Sequence, residues 1–285
     1  MARGRSLTEY RIRRHSKKII ITVAVYGIAI LYFFPILYMF LSGFKTEQQA
    51  VSPAIFFSPT LDTYKKVLSD PTMYQYLSNS LFQVIVGTAL CLVLGVPAAY
   101  TLVFGNLKHS ASSGKYYTWF ISTILLPPVA VLIPLFTWYQ QWRLINTPWG
   151  VLAAYVGFHV PIVVWMVHSF FKDLPGEIFE AAEIDGCTKL QRLVLIALPL
   201  ARTGIISAAL LVAVFIWNEF FLGFNLTGNP TATLTVYMSR FREQQGQFVA
   251  QLSASSTIAV LPAIILGWRA QKALVKGLVA GAVKG

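Results

Sequence analysis

The sequence predicts an all-α membrane protein with six transmembrane helices. Of its 285 residues 56% are hydrophobic and 12% are charged, and the mean hydropathy is +0.61. Soluble domains carry about 25% charged residues, so lipid is the expected solvent. The net charge of +12 comes from Lys and Arg that lie between apolar runs. This placement indicates a lipid bilayer as the partner and disfavours nucleic acid.

The first span follows a basic tail, residues 1–18, that carries seven Lys or Arg. Residues 19–44 contain no charge at all. A secretory signal peptide has a shorter apolar region and a cleavage site of small residues, and neither is evident. We therefore predict an uncleaved first helix that anchors the chain in the membrane.

Six segments are apolar over the roughly 20 residues that a bilayer core about 30 Å thick requires. They are residues 19–43, 78–103, 118–141, 149–171, 203–226 and 251–269. Counted on alternate sides, 17 Lys and Arg share the side of the N-terminal tail and six lie on the other. Because cytoplasmic loops retain basic residues, both termini are predicted to be cytoplasmic, including a C-terminal tail over 270–285.

Polar and proline residues mark irregular points in this arrangement. The Pro127-Pro128 pair makes an unbroken third helix improbable, because each proline removes a backbone donor. Asn218 and Glu219 interrupt the fifth segment. The turn residues between Lys45 and Tyr76 predict an ordered external loop with short helices.

The sequence offers no enzyme site. Cys91 lies in an apolar run and Cys187 in a charged loop, which argues against a disulfide. With four His in the chain there is no zinc pattern, and no Gly-x-x-x-x-Gly-Lys-Ser/Thr loop for nucleotide occurs. We predict no catalytic residue, no metal ligand and no cofactor in this chain.

The cytoplasmic loop over 172–202 predicts a short helix with Pro175 in its first turn, Asp173 and Glu177 at its positive end and Gly186 at its exit. Thr188 is placed to cap a second helix that Pro199 stops.

The surface of this short helix allows two interpretations. Ala181 and Ala182 leave a flat patch for another protein's backbone, while Glu180 and Asp185 offer charges to a partner's Arg or Lys. The helix is then a docking element. In the second interpretation it is an amphipathic helix that lies on the lipid headgroups.

The run Glu180-Ala181-Ala182, then Gly186, then Ile196-Ala197-Leu198-Pro199 closely resembles the EAA loop of binding-protein-dependent ABC importer permeases. The resemblance implies the type I ABC importer permease fold and a helix that fits a cleft of the ATPase subunit. It assigns ATPase coupling to Glu180, Ala181, Ala182, Asp185 and Gly186. Cys187 and Arg202 depart from the family, which usually has alanine and proline there.

The rest of the chain resembles the carbohydrate branch of the family, through Asn79-Ser80, Trp217-Asn218-Glu219-Phe220 and the ending over 277–285. This implies a sugar, oligosaccharide or sugar alcohol as substrate and the bacterial inner membrane as location. It also implies a second permease subunit in a heterodimer, two ATPase subunits that bind ATP and magnesium, and an extracytoplasmic solute-binding protein.

Two groups of residues are candidates for the substrate path. On span four, His159 lies about 15 Å deep, near the bilayer middle, and Tyr155 and Trp165 flank it with rings that suit sugars. The alternative is a histidine bonded to a neighbouring helix. On span five, Trp217, Asn218 and Glu219 lie toward the outer leaflet. Glu219 needs a partner or water there, and it lines the path or pairs across the subunit interface.

Two other functions compete with the importer. A proton-coupled secondary carbohydrate transporter would use His159 and Glu219 as a relay, and an exporter or channel subunit is a third class. The loop from Glu180 to Pro199 favours the importer, since a secondary carrier has no need of an ATPase docking helix.

Overall fold

A computed structural model describes residues 3–105, 111–243 and 248–282, and every regular element in them is helical. The all-α prediction is therefore confirmed. The chain divides into two compact units. One comprises Met1–Ser69 and Phe241–Ile258, and the other comprises Asp70–Arg240 and Ala259–Gly285.

The first unit begins with the long helix α1, Arg3–Ser42. Its backbone runs without a break from the basic tail into the apolar part, Lys18–Ser42, which is long enough to cross a membrane. None of its most apolar stretch is buried within this chain. Lipid or another subunit must therefore cover it.

Two short helices, α2 (Glu47–Ala50) and α3 (Asp62–Leu68), follow α1, so the prediction of short helices in this loop is confirmed. The loop is organised around the ammonium group of Lys45, which is completely buried. Its Nζ donates to the carbonyl of Ala54 at 2.7 Å and lies 4.9 Å from the ring centre of Tyr38. Backbone oxygens and an aromatic face thus replace water around this charge.

The second unit is built around α4, which packs against α7 and α11. Small residues allow this close approach. A Cβ built on Gly95 of α4 would lie 2.7 Å from the side chain of Val163 on α7, and one built on Gly204 of α11 would enter the ring of Phe170. The helices that begin in this unit are α4 (Pro71–Phe104), α5 (Ala111–Ile124), α6 (Pro128–Gln141), α7 (Pro148–Lys172), α8 (Gly176–Ile184), α9 (Lys189–Gln191), α10 (Leu198–Leu200), α11 (Arg202–Asn218), α12 (Phe221–Leu226) and α13 (Leu234–Glu243).

In the described part of the chain, three helices are long and apolar enough to span a bilayer by themselves, namely Lys18–Ser42, Pro71–Phe104 and Pro148–Lys172. Two bent pairs raise this number to five. They are Gly114–Ile124 with Pro128–Gln141, bent by 92°, and Lys189–Leu200 with Arg202–Asn218, bent by 81°. The last helix, α14 (Val249–Ala282), has a shorter apolar part over Val249–Ile265. Six spans and cytoplasmic termini stay predictions.

The two predicted interruptions are present. The third segment breaks at Pro127, and α6 starts at Pro128, where a proline needs no backbone donor. In the fifth segment α11 ends at Asn218, and α12 begins three residues later. Of the C-terminal tail, residues 283–285 lie outside the described part of the chain.

Candidate functional site: the loop after α7 and the break after α11

The short helix α8 ends in a glycine turn. Gly186 has φ +79°, the left-handed conformation that favours glycine, as its predicted position at the helix exit requires. Its N–H donates to the carbonyl of Glu183 at 3.1 Å, and the N–H of Cys187 donates to that of Ala182 at 2.9 Å. These paired bonds form a Schellman motif, which satisfies the last carbonyls of the helix. Pro175 precedes the first helical residue instead of occupying it.

The four residues after this turn start the next helix. Thr188 caps α9, because its hydroxyl accepts the N–H of Gln191 at 3.3 Å while the Gln191 side chain accepts the N–H of Thr188 at 2.8 Å. The predicted cap is thus a complete capping box. A turn of π-helix over Arg192–Ala197 follows and leads into α10. The helix ends at Leu200, one residue after the predicted stop at Pro199.

The five predicted coupling residues do not share one surface. Glu180, Ala181, Asp185 and Gly186 are exposed, but Ala182 is only 7% exposed. The expectation that Ala182 belongs to an exposed patch is therefore wrong. The physical reason is an aromatic residue one turn earlier, Phe179, which draws this face of α8 onto the helix bundle.

Phe179 and Ala182 lie three residues apart and therefore on one face of α8, and both are buried. The ring of Phe179 stacks on that of Phe104 at the end of α4, with centroids 3.9 Å apart and planes at 21°. The Tyr100 ring packs nearby, at 6.4 Å. This face fastens α8 to the chain's own helices and leaves the opposite face, with Ala181, open.

A salt bridge that the sequence does not single out joins α8 to the following turn. Arg192 Nη1 donates to Glu183 Oε2 at 2.6 Å. The Arg192 side chain is 8% exposed, whereas that of Glu183 is 67% exposed. Acidic and basic residues nine positions apart are common in sequences, so this spacing alone does not predict a salt bridge.

On α7, Tyr155 and His159 both lie inside the helix bundle. His159 Nδ1 is 2.6 Å from the carbonyl oxygen of Tyr155, so the ring bonds to its own helix, and it packs 6.1 Å from the Phe215 ring of α11. Tyr155 is completely buried, and its hydroxyl lies beside the side chains of Glu219 and Thr233. Neither side chain contacts open space in this conformation.

The other four path candidates differ in exposure. Trp165 is 45% exposed, and Asn218 is exposed while its amide donates to the Val214 carbonyl at 2.8 Å. Trp217 is buried and donates from Nε1 to the Ala259 carbonyl at 3.1 Å. Glu219, the fourth, is half-buried at the break between α11 and α12.

The carboxylate of Glu219 finds its partners in its own chain. Oε1 accepts the N–H of Leu222 at 2.8 Å and Oε2 accepts that of Gly223 at 3.0 Å. These are unpaired donors in the first turn of α12, the positive end of that helix. The sequence predicts that Glu219 needs a partner, and the start of a new helix supplies it.

Near the start of α4, a polar cluster holds the segment that leads into α13. Asn79 donates from Nδ2 to the carbonyls of Pro230 and Ala232, both at 2.9 Å. Ser80 Oγ accepts the N–H of Leu234 at 2.8 Å. The Asn79-Ser80 pair, which the sequence marks only as a family resemblance, thus fixes the chain that follows α12.

The cluster continues with Asp70, the residue that caps α4. Its Oδ2 accepts the Tyr237 hydroxyl at 2.7 Å, and Arg240 donates to the hydroxyl of Tyr76. Burial acts to raise the pKa of Asp70, but the hydrogen bonds from Tyr237 and Thr72 and the charge of Arg240 outweigh it and lower the pKa. Burial, with the neighbouring carboxylate, raises the pKa of Tyr237.

Metal chemistry has no candidate site in the described residues, since no three His, Cys, Asp or Glu side chains group there. Cys91 is buried, Cys187 is half-buried, and both are free thiols.

The chain matches the family of binding-protein-dependent transport system inner membrane components over residues 91–279. It therefore belongs to this family, as a membrane permease subunit of an ABC importer and not an enzyme.

Two relatives extend the match over nearly the whole chain. The sulfoquinovosyl glycerol transport system permease protein SmoH of Agrobacterium fabrum is 32% identical over 88% of this chain and 89% of its own length. The trehalose/maltose transport system permease protein MalG of Thermococcus litoralis is 30% identical over 94% and 98%.

A solved structure supports the fold. A chain of a bacterial ABC transporter that imports the acidic polysaccharide alginate superposes with a TM-score of 0.75 at 21% identity, over 90% of this chain and 96% of that one. The fold is that of the type I ABC importer permeases.

Proposed function

We propose that this chain imports a carbohydrate, either a sugar, an oligosaccharide or a sugar alcohol, and that α8 couples it to separate ATPase subunits. The observation that best supports this proposal is that one face of α8 packs against the helix bundle and the opposite face is exposed. Its relatives include proteins named for sulfoquinovosyl glycerol and for trehalose and maltose, which supports the substrate class.

The proposed assembly follows the same resemblance. A second, different permease subunit completes the path, two ATPase subunits bind ATP and magnesium, and an extracytoplasmic solute-binding protein delivers the substrate. The exposed α1 gives a subunit or lipid a large apolar surface to cover.

The docking face is proposed to consist of the four exposed coupling candidates on α8 and its exit turn, namely Glu180, Ala181, Asp185 and Gly186. Ala181 and Gly186 let another backbone approach, while Glu180 and Asp185 offer acceptors to a partner's Arg or Lys. Ala182 lies on the opposite, buried face, which Phe179 attaches to α4 through the Phe104 ring. A push on the open face therefore reaches the bundle through the buried one.

The substrate path is proposed to use the six aromatic and polar candidates in two roles. Trp165 and Asn218 are exposed, and a ring face and an amide suit sugar C–H and hydroxyl groups. The other four are largely covered within the chain, and their proposed role is to fix the ends and packing of the helices that carry these two; they are Tyr155, His159, Trp217 and Glu219.

A proton relay through His159 and Glu219 is less well supported than this arrangement. Both oxygens of Glu219 accept backbone N–H groups, so both are already engaged within the chain. His159 Nδ1 lies at hydrogen-bond distance from a carbonyl of its own helix. A relay would have to break these contacts in each cycle.

The docking proposal is tested by enlarging Ala181 in a complex co-expressed with its ATPase. Ala181→Trp should insert normally but recover less than a tenth of the ATPase on co-purification, because the ring fills the partner's cleft. Ala181→Ser is the matched control and should recover it fully. Normal ATPase recovery and ATP-driven import with the tryptophan variant would contradict the coupling role.

The substrate class is tested in vesicles that contain the complete transporter and its solute-binding protein. Trehalose, maltose, sulfoquinovosyl glycerol and sugar alcohols are offered in turn, with an amino acid as control. ATP-dependent uptake of one of the carbohydrates, unaffected by a proton uncoupler, is the expected result. Uptake that the uncoupler abolishes without the ATPase would favour the secondary transporter.

A further inference from the structure

We propose that Arg192 is a positioning residue that makes α8 and α11 move as one body. This inference rests on the proposed coupling role of α8, and it adds the route by which a movement of α8 reaches the helix that ends at the path candidates. Arg192 itself touches neither the proposed docking face nor those candidates.

Arg192 lies in the segment that connects α8 to α11. It opens the π-helical turn Arg192–Ala197, which packs against α8 and α4. Through α10 this turn continues into α11, with a bend of 81°. A π-helical turn is a costly irregularity that often occurs at functional sites. Arg192 thus stands at the joint between the coupling helix and α11.

Arg192 also binds α8 directly through an ion pair. Its buried guanidinium is 2.6 Å from Glu183 on α8, and the turn that Arg192 opens also contacts α4. The stacked pair Phe179 and Phe104 fixes the same helix by apolar contact. Stacked rings permit sliding, whereas a charged hydrogen bond fixes direction and register.

The free-energy cost of burial indicates that the Arg192–Glu183 pair orients α8 more than it stabilises the fold. Burying a guanidinium costs desolvation free energy, and Arg192 Nε makes no hydrogen bond to the described part of the chain. Apolar residues of similar volume often replace buried ions without loss of stability. A side chain such as methionine would therefore satisfy the packing, but it would not tie α8 to the turn.

The test uses the complete transporter, with its partner permease, ATPase and solute-binding protein, in a background of Cys187→Ser. Spin labels are placed at Glu177→Cys on α8 and Ile206→Cys on α11, which are both exposed. Their distance distribution is measured without nucleotide and after trapping with ATP and vanadate. If the two helices move as one body, the distribution is the same in both states.

Arg192→Met should retain ATPase co-purification, yet its distribution in the trapped state should be at least twice as wide as that of the unmodified chain. Arg192→Lys should restore part of the narrow distribution. Glu183→Gln removes the ion pair from its exposed end, so it tests the pair even if Arg192→Met does not fold. The distance distribution of the double variant should be no wider than that of Arg192→Met alone.

Two results would overturn the proposal. A distance that changes on trapping in the unmodified chain would overturn the proposal, and so would a narrow distribution in both Arg192→Met and Glu183→Gln. Ala181→Trp separates the two levels. If it leaves ATPase binding intact, the coupling role of α8 itself fails. If it abolishes ATPase binding while the distance distributions of Arg192→Met and Glu183→Gln stay narrow, only the proposed role of Arg192 fails.

Discussion

Removing the ring of Phe179 should release α8 from the bundle without unfolding the rest of the chain. The ring is 4% exposed and stacks on Phe104. Burying such a side chain stabilises by about 1.5–3 kcal/mol. The aromatic pair contributes about 0.5–1.5 kcal/mol more. Phe179→Ala should therefore weaken the attachment of α8 by about 2–4.5 kcal/mol.

This loss has a direct consequence for the helix itself. α8 has nine residues, and helices shorter than about 12–15 residues are marginal in water without packing. Once detached, α8 should unfold locally. With a tenfold change for each 1.4 kcal/mol, the open population should rise by about 30- to 1,600-fold.

Hydrogen exchange of the purified permease measures this population. The informative amides are those from Glu180 to Asp185, because the first four N–H groups of a helix have no partner within it. Ile178→Ala is the matched control, since Ile178 is 41% exposed and on the same turn, and its exchange should change little. Equal protection of these amides in Phe179→Ala and the unmodified chain would refute the assignment of the buried face.

Three further changes test other parts of the structure. Gly186→Val should destabilise the exit of α8 by about 1–2 kcal/mol through backbone strain alone, because a Cβ there meets nothing within 4 Å; unchanged exchange at the helix end would contradict this. Gly204→Ala should lower the thermal midpoint of the permease, since its Cβ would enter a ring on α7, whereas Gly157→Ala, with open space, should not. Tyr237→Phe should cost about 1 kcal/mol at neutral pH by removing the bond to Asp70. Because the pKa of Asp70 is lowered, its carboxylate stabilises the fold above the ordinary pKa of aspartate and loses this effect as pH falls through the lower value. The difference between Tyr237→Phe and the unmodified chain in chemical unfolding should therefore shrink below about pH 4, and a constant difference would count against the pair.

The features that local sequence determines are the ones that the sequence predicts well. Gly186 adopts a positive φ and Thr188 forms its cap because each depends on the four or five residues around it. The break at Pro127 follows from covalent geometry in the same way. Apolar length likewise locates the long helices, since a bilayer imposes one length on all of them.

The features that depend on distant residues are the ones that the sequence does not reveal. Ala182 is buried because Phe104, 78 positions earlier, receives the neighbouring Phe179, and nothing in the short run around Ala182 specifies this. The pairing of Arg192 with Glu183 depends in the same way on how the chain turns at Gly186. A nine-residue helix has too few turns for its pattern alone to show which face is covered.

The break after α11 carries its own countercharge. Because Glu219 binds the first N–H groups of α12, the positive end of that helix is neutralised from within the chain. When α12 tilts, its counterion travels with it, and no ion from water has to enter or leave. The joint nevertheless keeps the one negative charge of Glu219, because a helix dipole has partial charges at its two ends but no net charge of its own. An anionic group of a passing solute would also meet a site that is already filled.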